Sequence, residues 1–132
     1  MVLDTTLANW PTYRGHDVEP LVRASIERML PHANLGDTTF VGGYWNRTGD
    51  VQVDLVGADR ERSPATITML GSIKWRERRP FRRDDLLALA AARSQVPGAD
   101  NAALVGVSRS GFDTGELDTA LSPEDLMAAW RT

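Results

Sequence analysis

The sequence predicts a single α/β domain in which helices cover a sheet. Its 132 residues are enough for one hydrophobic core and too few for two ordinary domains. Apolar residues recur at helical spacing in three segments, and they alternate with polar residues in the segments between. The predicted order is helix, three strands, helix, strand and final helix, with one further short strand left open before the end. We expect residues 1–132 to form one domain.

The first predicted element is a helix that follows an irregular arm over residues 1–15. Asp17 is a suitable N-cap for this helix, and Pro20 is tolerated if it falls in the first turn. The arm carries Trp10 and Tyr13, which we expect to contact a neighbouring domain. The apolar residues of the helix recur every three or four positions: Val18, Leu21, Val22, Ile26, Met29 and Leu30.

Three strands are predicted next, over residues 38–45, 51–56 and 66–75. They are rich in β-branched and aromatic residues, and turn-forming residues separate them, with a turn expected from residue 57 onward. Gly42-Gly43 in the first strand is typical of a β-bulge. The aromatic residues of that strand are expected in the core: Phe40, Tyr44 and Trp45.

The remaining predicted elements are two helices with a buried strand between them. The first helix covers residues 84–93, and residues 102–107 form a short apolar run that suits a buried strand. Ser122 is the predicted N-cap of the last helix, with a proline in the first position and Asp125 three residues on. We expect Trp130 to dock this helix against the rest of the domain.

Composition excludes several classes of protein. A net charge of −3 argues against a uniformly basic coat, so any basic surface must be local. The chain has no cysteine, which excludes disulfides and thiolate metal sites. There is no signal-peptide pattern, no apolar stretch near the roughly 20 residues that span a bilayer, and no Gly-x-x-x-x-Gly-Lys phosphate loop. We therefore expect a cytoplasmic protein with no membrane partner and no NTPase site of its own.

Two neighbouring predicted strands each carry a polar pair, Gln52 with Asp54 and Ser72 with Lys74. Because side chains alternate with period two, a hairpin in the right register brings all four to one face. A carboxylate beside a lysine amine suits metal-assisted phosphodiester hydrolysis, since the carboxylate holds Mg²⁺ and the amine stabilises the attacking water or the developing charge. The alternative interpretation is a cross-strand ion pair.

These strands carry three motifs, VGGYWNR at 41–47, VQVDLV at 51–56 and LGSIKW at 70–75. Two further segments accompany them, GHDVE at 15–19 and SRSGF at 108–112. Together the motifs resemble the C-terminal domain of archaeal and bacterial AAA+-type ATPases, a domain of unknown function (number 234). The resemblance covers nearly the whole chain, and the order of the motifs is kept.

The resemblance implies a PD-(D/E)XK nuclease-like domain. Its three-layer, restriction-endonuclease-like core has a mixed central sheet flanked by helices, in the order α-β-β-β-α-β with an additional C-terminal helix. The resemblance further implies that Glu19 and Asp54 are metal-binding acids, that Lys74 is the catalytic lysine, and that Mg²⁺ is the cofactor if the site is active. It implies an AAA+-type ATPase domain as a partner in cis or in trans. We expect Glu19 to reach from the first helix to the face that carries Asp54 and Lys74.

Two positions depart from the family pattern. Gln52 replaces the usual Glu, and Ser72 replaces the acid of the (D/E)-x-K motif, which removes a charged ligand from a Mg²⁺ site. Some restriction enzymes of the superfamily supply this acid from the following helix, where Asp84 and Asp85 lie here. The alternative is that both are first-turn acids favoured by the helix dipole.

The predicted function is therefore a degenerate nuclease-fold module that binds DNA or a protein partner. One alternative is an active Mg²⁺-dependent DNA endonuclease with Asp85 as a displaced acid. Another is a structural or dimerisation domain.

Basic residues are concentrated at 74–83, where six of ten positions are Lys or Arg. Arginines beside a nuclease-like strand end are suited to gripping phosphates. The alternative is a solvated loop whose charge is offset by Glu77, Asp84 and Asp85. The arginines predicted to bind nucleic acid are Arg76, Arg78, Arg79, Arg82 and Arg83.

Overall fold

The computed structural model describes residues 15–45, 52–60, 66–76 and 78–131. Most of the predicted N-terminal arm, with Trp10 and Tyr13, lies outside these residues, as does Glu77. In chain order the elements are helix α1 (Gly15–Met29), a 3₁₀ turn (Ala33–Leu35), strands β1 (Phe40–Trp45), β2 (Gln52–Ala58) and β3 (Ile67–Lys74), helix α2 (Arg83–Ala92), strands β4 (Ala103–Ser108) and β5 (Thr119–Leu121), and helix α3 (Pro123–Ala128). The predicted fold class is confirmed, and β5 is the short strand that the sequence left open.

The sheet is mixed and runs in the order β1-β2-β3-β4-β5. Strands β1, β2 and β3 are antiparallel, whereas β4 and β5 continue the sheet parallel to β3. Parallel neighbours need a crossover connection, and α2 supplies it between β3 and β4. Strand β3 is therefore central, with an antiparallel neighbour on one side and a parallel neighbour on the other.

Helices cover both faces of the sheet. Helices α1 and α3 lie on one face and α2 on the other, so that two apolar clusters form. The cluster under α1 and α3 is formed by Val18, Val22, Ile26, Leu35, Leu55, Met69, Ile73, Trp75, Val105, Val107, Leu121 and Leu126. The cluster under α2 is formed by Val53, Leu70, Phe81, Leu86, Leu89, Ala92, Val96, Ala99, Ala102 and Leu104. Full burial of one such large side chain stabilises the fold by about 1.5–3 kcal/mol.

Trp130 docks the C-terminal helix on α1, as predicted. Its indole Nε1 donates a hydrogen bond to Ser25 Oγ at 2.8 Å, and the Ser25 hydroxyl donates in turn to the carbonyl of Leu21 at 2.7 Å. The guanidinium of Arg28 lies 4.3 Å from the centre of the indole ring, a cation–π contact. The predicted cap of α3 is also present, because Ser122 Oγ accepts from the Asp125 N–H at 3.2 Å.

The prediction that Asp17 is the N-cap of the first helix is wrong. Helix α1 includes Gly15, so Asp17 lies within it and Pro20 is its sixth residue, beyond the first turn. The apolar periodicity did not reveal the extra residues because those that precede Val18 are not apolar.

Two predictions on the strands need correction. Gly57 does not start a turn. It continues strand β2, in which it pairs with Val41 of β1 on one side and Met69 of β3 on the other. Glycine suits this position because a Cβ there would overlap the side chains of Met69 and Thr38. Phe40 is 39% exposed, not buried, because it begins the edge strand β1. The side chains of the other two aromatic residues of β1 lie outside the described part of the chain.

A β-bulge interrupts the pairing of β1 with β2 at the predicted glycines. Gly42 pairs with Val56, but Tyr44 pairs with Val53, so that Gly43 faces two residues of β2 instead of one. The extra residue is in β2, and it shifts the alternation of β2 side chains between the two faces of the sheet. Leu55 therefore packs under α1, while Val53, two positions earlier, packs under α2.

Candidate functional site

A pocket of about 300 Å³ lies between the sheet and helix α2. The helix contributes apolar side chains, from Ala88, Leu89 and Ala92. The polar lining consists of two predicted site residues, Asp54 and Lys74, and two residues predicted to neighbour them, Ser72 and Asp85. The structure thus brings together residues that lie up to 31 positions apart in the sequence.

Strands β2 and β3 place three of these side chains. Ser72 and Lys74 follow Leu70 at period two along β3, so they lie on the face that α2 covers. Asp54 joins them from the bulge in β2, where Val53 and Asp54 both line the pocket despite being consecutive. The prediction that Asp54 and Lys74 share a face is confirmed.

The alternation that grouped Gln52 with Asp54 is broken by this bulge. Gln52 belongs to β2 by its backbone, and its side chain lies outside the described part of the structure.

Asp54 is fixed by the end of the β2–β3 ladder. Pairing between these strands runs from Leu55–Gly71 to Ala58–Ile67 and stops before Asp54. At that point the Asp54 Oδ2 atom accepts the backbone N–H of Ile73 at 2.8 Å, a charge-assisted hydrogen bond. Its other carboxylate oxygen accepts no hydrogen bond from the described residues.

Lys74 is partly buried and carries its charge into the pocket. Within the described ranges, no carboxylate oxygen lies within 4.0 Å of its amine. The cross-strand ion pair with Asp54, which was the alternative interpretation of this pattern, is therefore not formed. The neighbouring Ser72 hydroxyl likewise makes no hydrogen bond to a residue that the structure describes.

Asp85 enters the pocket from the first turn of α2. Its Oδ2 atom accepts the backbone N–H of Arg82 at 2.9 Å and the Nη2 of Arg76 at 2.7 Å. Burial favours a raised pKa, but the Arg82 hydrogen bond, the Arg76 hydrogen bond and the positive charges of Arg76 and Lys74 together hold the pKa of Asp85 below its usual value. Asp85 is thus a helix-capping anion that also lines the pocket.

Glu19 does not line this pocket. It lies on α1, whose buried residues pack against the opposite face of the sheet. Its Oε2 atom is 3.8 Å from Nη1 of Arg23, one helical turn further on. The structure therefore does not bring Glu19 into the pocket with Asp54 and Lys74, because the sheet separates the two faces.

The side chains of the pocket do not fit a resident Mg²⁺ ion. Mg²⁺ is usually held by one or two carboxylates together with water and substrate oxygens, in near-octahedral geometry. No group of three or more His, Asp or Glu side chains suited to a metal ion occurs among the described residues. Of the two pocket carboxylates, Asp85 already carries a cation, the guanidinium of Arg76. The predicted metal pair of Glu19 and Asp54 does not meet in the pocket.

Residues that follow β4 hold the segment from Arg76 to Arg83 at Arg76, Arg79 and Phe81. The Ser110 hydroxyl donates to the carbonyl of Arg76 and, at 3.3 Å, to that of Arg79. Phe81 forms a parallel bridge with Phe112, and their rings lie 5.7 Å apart. The SRSGF motif thus anchors the arginine segment, a role that the sequence alone did not reveal.

The arginines of this segment differ in their partners. Arg76 pairs with Asp85 at 2.7 Å, Arg79 with Asp84 at 3.4 Å, and Arg83 with Glu116 at 3.2 Å. The predicted offset by Asp84 and Asp85 therefore holds for Arg79 and Arg76, whereas the partner of Arg83, Glu116, was not predicted.

The other two arginines, Arg78 and Arg82, are exposed. No carboxylate oxygen in the described part of the chain lies within 4.0 Å of either. Arg109 also lacks such a partner there, and its backbone N–H donates to the carbonyl of Lys74 at 3.4 Å. Arg109 was missed as a candidate because it is separated from the basic run by 25 residues of sequence.

Comparison of the chain with protein-family models, with curated proteins and with solved structures finds no match. The family resemblance of the motifs stays a prediction. No helix among the described residues is both long enough and apolar enough to cross a membrane.

Proposed function

We propose that this chain is a nuclease-fold module that binds the DNA backbone through its pocket and its arginine segment and does not cleave it. The observation that carries the proposal is Lys74, a partly buried amine without a carboxylate partner among the described residues. It lies beside the Ser72 hydroxyl, which is also available there. An ammonium and a hydroxyl in a concave site are suitable donors for a phosphate oxygen.

Three arginines without a carboxylate partner among the described residues add positive charge on the segments that follow β3 and β4. Arg78 and Arg82 follow Lys74 along the anchored segment, and Arg109 follows the end of β4, which pairs with β3. Phosphate contacts need charge and hydrogen-bond donors but no base recognition. The proposed binding is therefore independent of base sequence, and it is local, as the net charge of −3 requires.

The lack of cleavage follows from the carboxylates. Ser72 stands where the resemblance implies an acid, and Asp85 is engaged by Arg76 and by the backbone of Arg82. Among the described residues, Asp54 is then the one pocket carboxylate that no cationic side chain contacts, which is a poor basis for metal-assisted hydrolysis. Association with an AAA+-type ATPase stays a prediction of the resemblance.

A second candidate function is the Mg²⁺-dependent endonuclease with Asp85 as a displaced acid. It is favoured by one observation, that Asp85 lines the same pocket as Asp54, Ser72 and Lys74. Incubation with plasmid and single-stranded DNA in Mg²⁺ or Mn²⁺ distinguishes the two functions. Cleavage that is lost in both Asp54→Ala and Asp85→Ala would establish the second function in place of the first.

The binding test is a titration of fluorescently labelled duplex DNA, followed by anisotropy at several salt concentrations. The four proposed phosphate contacts, of Lys74, Arg78, Arg82 and Arg109, give a slope of log K against log salt of about −3.6, at roughly −0.9 per contact. The double variant Arg78→Ala/Arg82→Ala should make this slope shallower by about 2. Arg60→Ala is the matched control, because Arg60 is an exposed arginine just after the far end of β2, paired with Asp59 at 3.8 Å.

Failure of the wild-type protein to bind DNA at low salt would refute the proposed function. A change of slope in Arg60→Ala equal to that per arginine removed in the double variant would show that general charge, and not this surface, governs the binding.

A further inference from the structure

Arg76 lies where the pocket meets the arginine segment. Its Nη2 atom donates to Asp85 Oδ2 at 2.7 Å and to the carbonyl of Pro80 at 3.0 Å. Its own carbonyl accepts a hydrogen bond from the Ser110 hydroxyl. The side chain is 28% exposed, and that of Asp85 only 10%. The guanidinium is therefore held in one place, against a carboxylate that has little access to water.

The charges of the four ionisable side chains in or beside the pocket add up to zero without a bound ion. Asp54 and Asp85 supply two negative charges, and Lys74 and Arg76 supply two positive ones. A guanidinium stays protonated throughout the pH range in which proteins are stable, so Arg76 does not lose its charge by titration. A divalent cation approaching Asp85 would meet this charge at hydrogen-bond distance from the same carboxylate.

The same pocket otherwise has the chemistry of a hard-cation site. One oxygen of Asp54 and one of Asp85 accept no hydrogen bond from the described residues, and the Ser72 hydroxyl lines the same space. Divalent cations such as Mg²⁺ and Mn²⁺ favour carboxylate, hydroxyl and water oxygens. The volume of about 300 Å³ leaves room for the water ligands that such an ion retains.

We propose that Arg76 is a built-in counter-ion that keeps divalent cations out of this pocket, and that removal of its charge turns Asp54 and Asp85 into a cation site. This inference rests on the proposed function, in which the pocket holds no metal ion. It explains which side chain excludes the ion. It concerns Arg76, whereas the DNA contacts are assigned to Lys74, Arg78, Arg82 and Arg109. Binding of a cation and binding of DNA are thus separable properties.

The test measures Mn²⁺ binding directly, from the loss of the electron paramagnetic resonance signal of free Mn²⁺. Arg76→Gln removes the charge and keeps an N–H donor of shorter reach. We expect this variant to bind Mn²⁺ at least about tenfold more tightly than wild type, in the range by which neighbours of a metal site alter its affinity. The gain should disappear in Arg76→Gln/Asp85→Asn.

Arg79→Gln is the matched control, because the partner of Arg79 is Asp84, which is exposed and, unlike Asp85, does not line the pocket. It should bind Mn²⁺ like wild type. If Arg76→Gln does not fold, as judged by circular dichroism, Arg76→Met provides a neutral side chain of greater length for the same titration.

Two results would overturn the inference. One is an Arg76→Gln or Arg76→Met variant that folds and binds Mn²⁺ no better than wild type. The other is tight Mn²⁺ binding by the wild-type protein, a result that does not depend on whether any variant folds. The DNA titration on the same samples distinguishes the two proposals. If the wild-type protein does not bind DNA, the proposed function is refuted, but the comparison of Mn²⁺ affinities between the variants still tests the role of Arg76.

Discussion

The two faces of the sheet are packed to different extents. Helix α1 has 15 residues and, with α3, covers its face from Leu55 across to Leu121. Helix α2 has only 10 residues, a length of roughly 15 Å at 1.5 Å per residue. The apolar cluster beneath α2 includes Leu70, but Ser72 and Lys74 on the same strand line a pocket instead. One strand therefore supplies a sealed core on one side and an accessible polar site on the other.

The difference shows how β3 separates an apolar core on one face from a polar pocket on the other. Met69 and Ile73 alternate with Leu70 and Ser72, so neighbouring residues serve different faces. A change on the α1 face should act mainly on the free energy of unfolding. A change at the pocket should act mainly on its charges and ligands.

The largest expected effect is on the α1 face. Ile26 is completely buried in the cluster under α1, and Ile26→Ala should lower the free energy of unfolding by about 2–5 kcal/mol through lost burial and a new cavity. The matched control is Leu87→Ala on α2, where the side chain is 54% exposed and the change should stay within about 0.5 kcal/mol. Urea denaturation of both variants measures this. Similar losses in the two would contradict the contrast between the faces.

A smaller effect is expected where α3 docks on α1. Trp130→Phe keeps an aromatic ring over this contact but removes the N–H that reaches Ser25 Oγ at 2.8 Å. The loss should be about 1 kcal/mol, since the hydrogen bond is partly buried and the cation–π contact with Arg28 weakens as well. A double-mutant cycle with Ser25→Ala isolates the hydrogen bond. Strictly additive losses would show that the bond contributes nothing.

The smallest effect on stability is expected at the pocket, and it should depend on pH. The folded-state pKa of Asp85 lies below its unfolded value, so its ionised form stabilises the fold above the unfolded pKa of about 3.9. That contribution is lost as the pH falls through the folded-state pKa. Asp85→Asn should therefore be less stable than wild type near pH 6 by about 1 kcal/mol or less, and the difference should shrink below about pH 4.

Urea denaturation at a series of pH values measures this difference. Asp84→Asn is the control, because Asp84 is the neighbouring first-turn acid but its side chain is 68% exposed and does not line the pocket. A difference between Asp85→Asn and wild type that does not change between pH 6 and pH 3 would show that the carboxylate charge is irrelevant.

Local sequence patterns predicted the elements and one face of the site. Helical periodicity, the capping residues around Ser122 and the Gly42-Gly43 bulge are properties of neighbouring residues, and the structure confirms them. Strand alternation on β3 explains the position of Lys74, whereas Asp54 reaches the same pocket through the bulge in β2, which alternation alone does not specify. Gly57 was misassigned because a glycine inside a strand has the same local signature as a glycine in a turn.

The rest of the site depends on contacts between distant segments. The pairing of Arg76 with Asp85 requires the segment before α2 to fold back on the helix, and sequence spacing does not specify that direction. The hydrogen bonds of Ser110 to the carbonyls of Arg76 and Arg79 cross 31 to 34 positions of sequence. Glu19 was placed by the motif match, which carries no information on the face of the sheet that its helix covers.

The anchoring of the arginine segment bears on the conformational entropy lost in the proposed binding. Fixing the backbone of a free loop takes about 1–2 kcal/mol per residue in conformational entropy. Here the carbonyls of Arg76 and Arg79 and the bridge from Phe81 to Phe112 restrain that backbone before any ligand arrives, with Gly111 taking the positive φ of 100° that the turn requires. In the proposed complex, the side chains of Arg78 and Arg82 would still have to be immobilised, at roughly 0.5–1.5 kcal/mol each. The proposed anion site would thus combine an anchored backbone with side chains that become ordered on binding.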